Sequence, residues 1–263
     1  MTSVPNIPRI IIAATGSGAG KTTATVALLG ALRARGLRVA AFKCGPDYLD
    51  PTYHARVLGK PSQNLDGWMM GREAVLATFA RGAAGAEIAV IEGMMGLFDG
   101  ARPDREEGST AEIAKWLSAP VLLVHDASGV ARTISAIAHG FVQFDSELRL
   151  GGLICNRVGS KGHLDLLRQA RPAARVLGSF KNGSRSRPVR LPLPDRSPGS
   201  LNPISTLPRR SDNFIGIARD LIGSERLAQH ENEMRYTCPS VKFDLIQAFL
   251  LVADHHLLAC FLC

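Results

Sequence analysis

Short apolar runs alternate with helix-like segments over the first two thirds of the chain. Five runs predict buried strands, at Arg9–Ala14, Leu37–Phe42, Glu87–Ile91, Pro120–His125 and Leu150–Ile154. Apolar residues at helical spacing predict helices at Lys21–Arg35, Arg72–Arg81, Ser109–Leu117, Val130–Phe144 and Lys161–Ala170. Strands that alternate with helices are typical of parallel sheets. The pattern therefore predicts an α/β fold, a mostly parallel sheet with flanking helices.

The alternation stops near residue 178. A segment rich in Pro, Ser, Arg and Gly follows, and neither strand nor helix periodicity continues there. The end of the chain, 245–263, is apolar but is interrupted by Asp254, which favours a packed or aggregating helix over a membrane span. We therefore predict one domain over residues 1–178 and an irregular, poorly ordered tail over residues 179–263.

Composition narrows the class of protein. With 263 residues, 46% of them hydrophobic, the chain can bury a sizeable core. The net charge is +8, but most of the excess follows residue 170, and no basic stripe with aromatic residues precedes it. Five scattered cysteines do not make a disulfide framework, and the apolar run at 10–14 is too short for a secretory signal. We expect a cytoplasmic protein whose partners include neither nucleic acid nor a membrane.

A glycine-rich loop joins the first predicted strand to the first predicted helix. Its residues are Thr15, Gly16, Ser17, Gly18, Ala19, Gly20, Lys21 and Thr22. Such loops point backbone N–H groups into one concavity, and the following helix N-terminus adds positive potential. The strict phosphate-loop pattern differs at one position, where Thr15 replaces glycine. We predict that the loop, with Thr23, binds nucleotide phosphates, that Lys21 reaches the β and γ phosphates, and that the Thr22 hydroxyl binds Mg²⁺.

Charged residues follow two further strands of the predicted sheet. Lys43 and Asp47 follow the second strand, and Glu92 ends the third. The carboxyl ends of parallel strands meet at the edge where nucleotides bind. Phosphoryl transfer depends on positioning and charge neutralisation. We therefore expect these side chains to converge on the phosphate loop.

Longer motifs resemble the cobyrinic acid a,c-diamide synthase family. They are FKCGPDYLDPTYH from residue 42, EGMMGLFDG at 92–100, GSTAEIAKWLSAPVLLVHDASG at 108–129 and LGGLICNRVGS at 150–160. The glycine-rich loop is similar to that of the wider group of dethiobiotin-synthetase-like phosphate-loop NTPases, to which this family belongs. The resemblance covers most of residues 9–178 and implies the same fold for them.

The resemblance implies an ATP-dependent carbon–nitrogen ligase of cobalamin biosynthesis. Such an enzyme amidates the a and c acetate carboxylates of cobyrinic or hydrogenobyrinic acid. The carboxylate takes the γ-phosphoryl group of ATP, and ammonia attacks the resulting acyl phosphate. The implied cofactors are ATP and Mg²⁺, and the implied substrate is a corrinoid polycarboxylate.

The same resemblance implies a role for individual residues. Metal ligands are Thr22, Asp47 and Glu92, whose oxygens suit Mg²⁺. Catalytic residues are Lys21, Lys43, Asp50 and Asp99, of which the two aspartates would shape the carboxylate and ammonia site. Substrate-binding residues are Asp47, Tyr48, Leu49 and Asp50. Nucleotide-binding residues beyond the loop are Asn156, which would read the adenine edge, and Arg157.

Structural roles compete with several of these assignments. Asp47 follows a proline and could serve only as a turn residue, and Lys43 could be a solvated surface lysine. Asn156 could instead form an Asx turn, in which the side-chain amide bonds to nearby backbone. Ser109 and Glu112 have the spacing of a capping box, so we assign them a structural role.

The resemblance ends with the predicted domain. Residues past about 178 do not resemble the family, and we expect an unrelated or frameshifted tail in place of the family's glutaminase domain. Ammonia would then come from glutamine only if that domain were supplied elsewhere. Two other functions stay open, amidation of a nickel tetrapyrrole and a partition-type ATPase switch, although the partition signature lysine is replaced by Gly16. A homodimer, common in the superfamily, is also open.

Overall fold

The computed structural model describes residues 6–170 and 172–181. The strands in chain order are β1 Arg9–Ala14, β2 Val39–Cys44, β3 Gln63–Leu65, β4 Ile88–Glu92, β5 Val121–Asp126, β6 Leu150–Val158 and β7 Val176–Lys181. The helices are α1 Lys21–Ala34, α2 Asp50–Leu58, α3 Gly67–Gly82, α4 Thr110–Trp116, α5 Thr133–Phe144 and α6 Lys161–Gln169.

The described strands form one parallel sheet in the order β3-β2-β4-β1-β5-β6-β7. The central strand β1 pairs with β4 on one side and with β5 on the other. From β1 the chain runs outward to β2 and β3, returns to β4 between β2 and β1, and then continues on the other side of β1 through β5, β6 and β7. The connections change direction beside β1. Ligands of open α/β sheets bind at the carboxyl ends of the strands beside such a point. The predicted α/β architecture is confirmed.

Each face of the sheet carries its own apolar core, because side chains along a strand alternate between faces. In β1, Ile10 and Ile12 pack with Leu28 and Leu32 of α1. Residues of the opposite parity, such as Ile11, belong to the core that contacts α3, α4, α5 and α6. Full burial of one such aliphatic side chain contributes about 1.5–3 kcal/mol. Because β1 packs into both cores, its position is fixed, and so is the start of the loop that follows it.

Several boundaries differ from the predicted ones. Strand β2 begins two residues later than expected and runs to Cys44, which places Lys43 inside the strand. Helix α3 contains a break at Gly71, whose φ of 70° and ψ of 167° are not helical, so the part after the break begins at Arg72 as predicted. A short helical segment from Gly67 precedes the break, and the Asp66 carboxylate caps it by accepting a hydrogen bond from the Met69 N–H at 3.0 Å.

Three elements were not predicted at all. Helix α2 has only nine residues and has Pro51 in its first turn, where proline is tolerated. So short a segment shows no clear helical spacing of apolar residues, so the sequence pattern did not predict it. Strand β3 has only three residues. Strand β7 runs from Val176 to Lys181 and so passes the boundary placed at residue 178. The predicted tail beyond 181, including the apolar segment at 245–263, lies outside the described residues.

Helix α4 begins with a variant of the predicted capping box, in which the Glu112 carboxylate reaches the residue before the N-cap Ser109. The Ser109 hydroxyl accepts a hydrogen bond from the Glu112 N–H at 3.1 Å, and the Glu112 carboxylate accepts one from the Gly108 N–H at 2.8 Å. Both residues therefore have the predicted structural role. No helix within residues 6–170 and 172–181 combines the length and apolar character needed to cross a bilayer.

Candidate functional site

The phosphate loop leaves β1 at the carboxyl edge of the sheet. Gly18 and Gly20 adopt positive φ values of 75° and 105°, and Gly20 is the N-cap of α1. A Cβ atom at Gly20 would lie 2.4 Å from the Asn156 amide nitrogen, so both the dihedral angle and the space require glycine there. The first residues of α1, Lys21 and Thr22, line the cleft, so the helix N-terminus lies where an anion would bind.

Lys21 begins α1 and is almost fully buried, at 8% exposure. Its Nζ donates hydrogen bonds to the carbonyls of Met95 and, at 3.4 Å, Gly16. Burial lowers the pKa of Lys21, and the nearby Lys43 charge lowers it further, against opposing carboxylates such as Glu92. The lysine is thus held by two backbone oxygens beside the loop, within the cleft where a phosphate would bind.

A second buried lysine, Lys43, lies at the end of β2 among carboxylates. Its Nζ is 2.6 Å from Asp50 Oδ2, 3.3 Å from Glu92 Oε1 and 3.8 Å from Asp47 Oδ2. It also donates to the Gly93 carbonyl at 2.9 Å. Burial opposes the charged form, but Glu92 and Asp50 outweigh it and raise the pKa of Lys43. Lys43 is therefore a fixed cation of the site, and the alternative of a solvated surface lysine is wrong.

Glu92 ends β4 and is fully buried. Its Oε1 accepts a hydrogen bond from the Thr22 hydroxyl at 2.6 Å, and its Oε2 lies 2.7 Å from His54 Nε2. Burial opposes ionisation, yet the hydrogen bond with His54, the Lys43 charge and the Thr22 hydroxyl together lower the pKa of Glu92. A carboxylate is thus held ionised directly beside the phosphate-loop threonine.

The two aspartates of the 47–50 segment have different surroundings. Asp47 Oδ1 accepts hydrogen bonds from the N–H groups of Leu49, at 2.7 Å, and Asp50, at 3.2 Å, so this carboxylate shapes the turn into α2. Asp50 instead faces Lys43 and lies 3.4 Å from the Thr22 hydroxyl. Asp50 is therefore nearer to the phosphate loop than Asp47 is.

The tip of this segment is apolar and exposed. The side chains of Tyr48 and Leu49 are 90% and 60% exposed. The Asn64 amide holds the base of the segment, donating to the carbonyls of Gly45 at 2.7 Å and Asp47 at 2.8 Å. The segment therefore projects beside the cleft from a fixed base.

Asp99 has a local bonding pattern that differs from those of the buried carboxylates. It is exposed, and its Oδ2 accepts a hydrogen bond from the Gly96 N–H at 2.7 Å. This bond closes the turn at 96–99, directly after Met95, whose carbonyl holds Lys21. Asp99 thereby orders the loop after β4.

Asn156 and Arg157 lie on the other side of the phosphate loop, at the end of β6. The Asn156 amide donates to the Ala19 carbonyl at 2.8 Å, and its oxygen accepts from the Arg157 N–H at 2.8 Å. Arg157 forms an ion pair with Asp126 and adopts a positive φ of 55°. An amide has two hydrogens and two lone pairs, so these bonds use half of its capacity.

Thr15, which replaces the expected glycine, contacts the neighbouring strand. Its N–H donates to the Val124 carbonyl at 3.1 Å, and its hydroxyl lies 3.0 Å from His125 Nδ1. Burial lowers the pKa of His125, which favours a neutral ring. The substitution therefore ties the loop to β5.

The oxygen atoms suited to Mg²⁺ gather at Thr22. Glu92 and Asp50 are the carboxylates nearest to its hydroxyl, and Asp47 is linked to them through Lys43. Among the described residues, no group of three or more His, Cys, Asp or Glu side chains is arranged to hold a metal by itself. Mg²⁺ in nucleotide sites takes remaining ligands from phosphates and water, so a hydroxyl and one or two carboxylates fit it.

Most of the predicted residues line one cleft. It is bounded by Ser17, Gly18, Gly20, Lys21, Thr22, Thr23, Lys43, Asp47, Asp50, Glu92, Met94 and Met95. Eight predicted residues lie outside that set, namely Thr15, Gly16, Ala19, Tyr48, Leu49, Asp99, Asn156 and Arg157. The sequence reasoning missed His54, Asn64 and the Met95 carbonyl. His54 follows Asp50 by four residues, the one sequence signal that could have indicated a shared helix face.

Comparison with known proteins identifies the family of this chain. Residues 10–180 match the model of the CobQ/CobB/MinD/ParA nucleotide binding domain family. A cobyrinate a,c-diamide synthase from Leptospira interrogans serovar copenhageni is 57% identical over 174 residues, covering 66% of this chain and 38% of that protein. A hydrogenobyrinate a,c-diamide synthase from Streptomyces coelicolor is 52% identical, covering 62% of this chain and 34% of that protein. The chain thus spans less than half the length of these relatives, and the resemblance seen in the motifs is confirmed.

A solved structure supports the fold alone. Chloroplast FtsY from Physcomitrella patens superposes with a TM-score of 0.50 at 19% identity, covering 70% of this chain and 62% of that chain. This likeness supports the α/β architecture of the described residues.

Proposed function

Because this chain belongs to the family of CobQ/CobB/MinD/ParA nucleotide-binding domains, we propose that it activates a carboxylate of a corrinoid with ATP and converts it to an amide. The proposal assigns the reaction to residues 1–178. Its substrates are cobyrinic or hydrogenobyrinic acid, the acids whose diamide synthases are the named relatives.

One observation carries the proposal. The phosphate-loop residues Lys21 and Thr22 share a cleft with the cation Lys43 and with the acidic segment that contains Asp50. A simple nucleotide switch needs the phosphate loop and metal ligands. It does not need a second buried lysine beside an exposed apolar tip. A ligase that brings an anionic substrate to the γ-phosphate needs both.

Nucleotide binding follows from the loop. The N–H groups at the start of α1 would receive the phosphates, and Lys21 would exchange its backbone carbonyl partners for phosphate oxygens. Thr22 and Glu92, with Asp50 or Asp47, would hold Mg²⁺, which neutralises charge on the β and γ phosphates when bound. Asn156 would contact the base with its remaining amide hydrogen and lone pair.

The reaction would proceed in two transfers. A substrate carboxylate oxygen attacks the γ-phosphorus, the bond to the β-γ bridging oxygen breaks, and ADP leaves. Ammonia then attacks the acyl carbon, inorganic phosphate leaves, and the nitrogen loses a proton. Lys43 would stabilise charge in the first transfer, and Asp50 or Asp99 would hold ammonium or accept a proton in the second.

Tyr48 and Leu49 would contact the macrocycle. They present apolar surface at the tip of a segment whose base is fixed by Asn64. A corrin has a large apolar face and peripheral carboxylates, so an apolar tip beside buried cations suits both parts of it. Burying such surface contributes about 25 cal/mol per Å².

The decisive experiment detects the product. The full 263-residue chain is incubated with Mg²⁺, ATP and either cobyrinic or hydrogenobyrinic acid, with ammonia in one arm and glutamine in another. Mass spectrometry should show that one or two carboxylates are converted to amides only when ATP is present. One ADP should be released for each amide formed. A further arm replaces the corrinoid with a nickel tetrapyrrole, and amide formation in that arm alone would redirect the substrate assignment. ATP-dependent binding to DNA without amide formation in any arm would overturn the ligase in favour of a partition-type switch.

A further inference from the structure

His54 is a buried histidine that the mechanism above does not use. It lies in the second turn of α2, fully enclosed, with Nε2 at 2.7 Å from Glu92 Oε2. Its other ring nitrogen, Nδ1, lies 3.1 Å from the Ser62 hydroxyl, which in turn lies 3.1 Å from the Ala41 carbonyl. These contacts form a continuous chain from β2 through α2 to β4.

The direction of the hydrogen bond to Glu92 follows from chemistry, whereas that to Ser62 depends on the tautomer of the ring. The single hydroxyl hydrogen of Ser62 goes either to the Ala41 carbonyl or to His54 Nδ1. The Glu92 carboxylate can only accept, so His54 Nε2 donates to it. The ring is held at both ends and cannot turn without breaking a bond.

The two oxygens of Glu92 have different partners as a result. Oε2 is bound to His54, whereas Oε1 faces the Thr22 hydroxyl at 2.6 Å and Lys43 at 3.3 Å. Removing the histidine would leave a buried carboxylate oxygen without its donor, which is costly. The carboxylate would then rotate toward Lys43 and Thr22 to regain a partner.

We propose that His54 is a positioning residue that fixes the Glu92 carboxylate for a metal-bound nucleotide. The inference rests on the proposed function, because it assumes that Glu92 and Thr22 hold Mg²⁺. Hydrogen-bond partners behind metal ligands commonly control metal affinity, and their loss typically costs about 10–100-fold.

The same contact couples the metal site to the substrate segment. His54 and Asp50 are four residues apart and share one face of α2. Asp50 binds Lys43 at 2.6 Å while His54 binds Glu92. One helix therefore sets the position of Glu92 and of the 47–50 segment at its N-terminus.

Two substitutions of His54 separate its two bonds. The amide nitrogen of a glutamine reaches about where Nε2 lies, so His54→Gln retains the donor to Glu92. The amide of an asparagine reaches about where Nδ1 lies, so His54→Asn retains the contact with Ser62 and loses the one with Glu92. Ser62→Ala removes the support of the ring without touching the cleft.

Calorimetric titration with the β,γ-imido analogue of ATP provides the readout, using the full chain in Mg²⁺ and again in EDTA. We expect His54→Asn to lose about 10–100-fold of the affinity that Mg²⁺ adds, with affinity in EDTA unchanged. His54→Gln should keep most of that gain, and Ser62→Ala should lose a smaller part. Thermal unfolding verifies that each variant is folded, and Ser62→Ala decides the question if His54→Asn does not fold.

The outcomes separate this inference from the proposed function. Equal losses in Mg²⁺ and in EDTA would make His54 a structural residue and overturn the inference alone. Full retention of the Mg²⁺ gain in Ser62→Ala and His54→Asn would do the same. A wild-type chain that binds the analogue no better with Mg²⁺ than without it would overturn the metal site itself.

Discussion

Two lysines in this protein are each surrounded by three carboxylates, yet they have different surroundings and different consequences. Lys43 lies among Asp47, Asp50 and Glu92 at the carboxyl edge of the sheet. Lys115, in the last turn of α4, lies 2.5 Å from Glu106, 2.9 Å from Asp145 and 3.5 Å from Glu147. In both clusters the carboxylates outweigh burial and raise the pKa of the lysine.

The difference lies in what else each cluster touches. The Lys115 cluster joins α4 to the end of α5 and to the loop before α4, and its partners are other surface elements. The Lys43 cluster contacts Thr22 of the phosphate loop through Glu92 and Asp50. Composition alone would rank the two clusters equally. The Lys43 cluster is a candidate for chemistry because it lies at the carboxyl end of a strand near β1. The Lys115 cluster only stabilises the packing of surface elements.

The sharpest test substitutes the two lysines in parallel. Lys43→Met should reduce amide formation by about 100-fold or more, the scale of losing one preorganised electrostatic contact at a reacting group. Lys115→Met should leave the rate per folded molecule unchanged. Mass-spectrometric product assays on both variants, normalised by the folded fraction, make the comparison. Similar losses in both variants would mean that the Lys43 cluster is structural too.

The next test removes the neighbour that distinguishes the two clusters. Lys21 lines the same cleft as Lys43, whereas the ion-pair partners of Lys115 are all carboxylates. Lys21→Ala should weaken ATP binding by about 10–150-fold, because a charge-assisted hydrogen bond contributes about 1.5–3 kcal/mol. The exposed Lys60 supplies the control Lys60→Ala. Calorimetry that gave equal affinities for the two variants would contradict a phosphate-binding role for Lys21.

A third test, with a smaller expected effect, substitutes the aspartates that bind the two lysines. Asp50 is 2.6 Å from Lys43, and Asp145 is 2.9 Å from Lys115. Asp50→Asn should lower product formation about tenfold, since a barrier change of 1.4 kcal/mol has that effect. Asp145→Asn should instead lower stability by about 1–3 kcal/mol without changing turnover. Denaturant unfolding and product assays on both variants distinguish the roles.

The order of strands, loops and helices along the sequence predicted the features of the Lys43 site that depend on local pattern. Strand-loop-helix order located the phosphate loop, and strand ends located Lys43 and Glu92 at one edge. It did not foretell that Asp50 rather than Asp47 would lie nearest to Thr22, because that depends on where α2 begins. A nine-residue helix with proline in its first turn leaves almost no periodic signal.

Contacts between distant segments were the other failure. His54 binds Glu92, 38 residues later in the sequence, and Lys115 forms an ion pair with Asp145, 30 residues later. Such contacts follow from the packing of helices on the sheet, which local spacing does not encode. The motif that contains His54 was visible, but its tertiary partner was not.

The smallest expected effect concerns acid stability of the Lys115 cluster. Burial opposes ionisation of Asp145, but its hydrogen bonds with Lys115 and the Glu147 N–H lower its pKa below the ordinary value of 3.8. A lowered carboxylate pKa stabilises the fold above the unfolded pKa, and this contribution is lost as pH falls through the folded value. Wild-type stability should therefore decline below about pH 3.8, and Lys115→Met should decline less steeply there because it has already lost the stabilising charge. Thermal unfolding from pH 5 to pH 2 compares the two slopes, and a steeper decline in Lys115→Met would contradict the assigned cause.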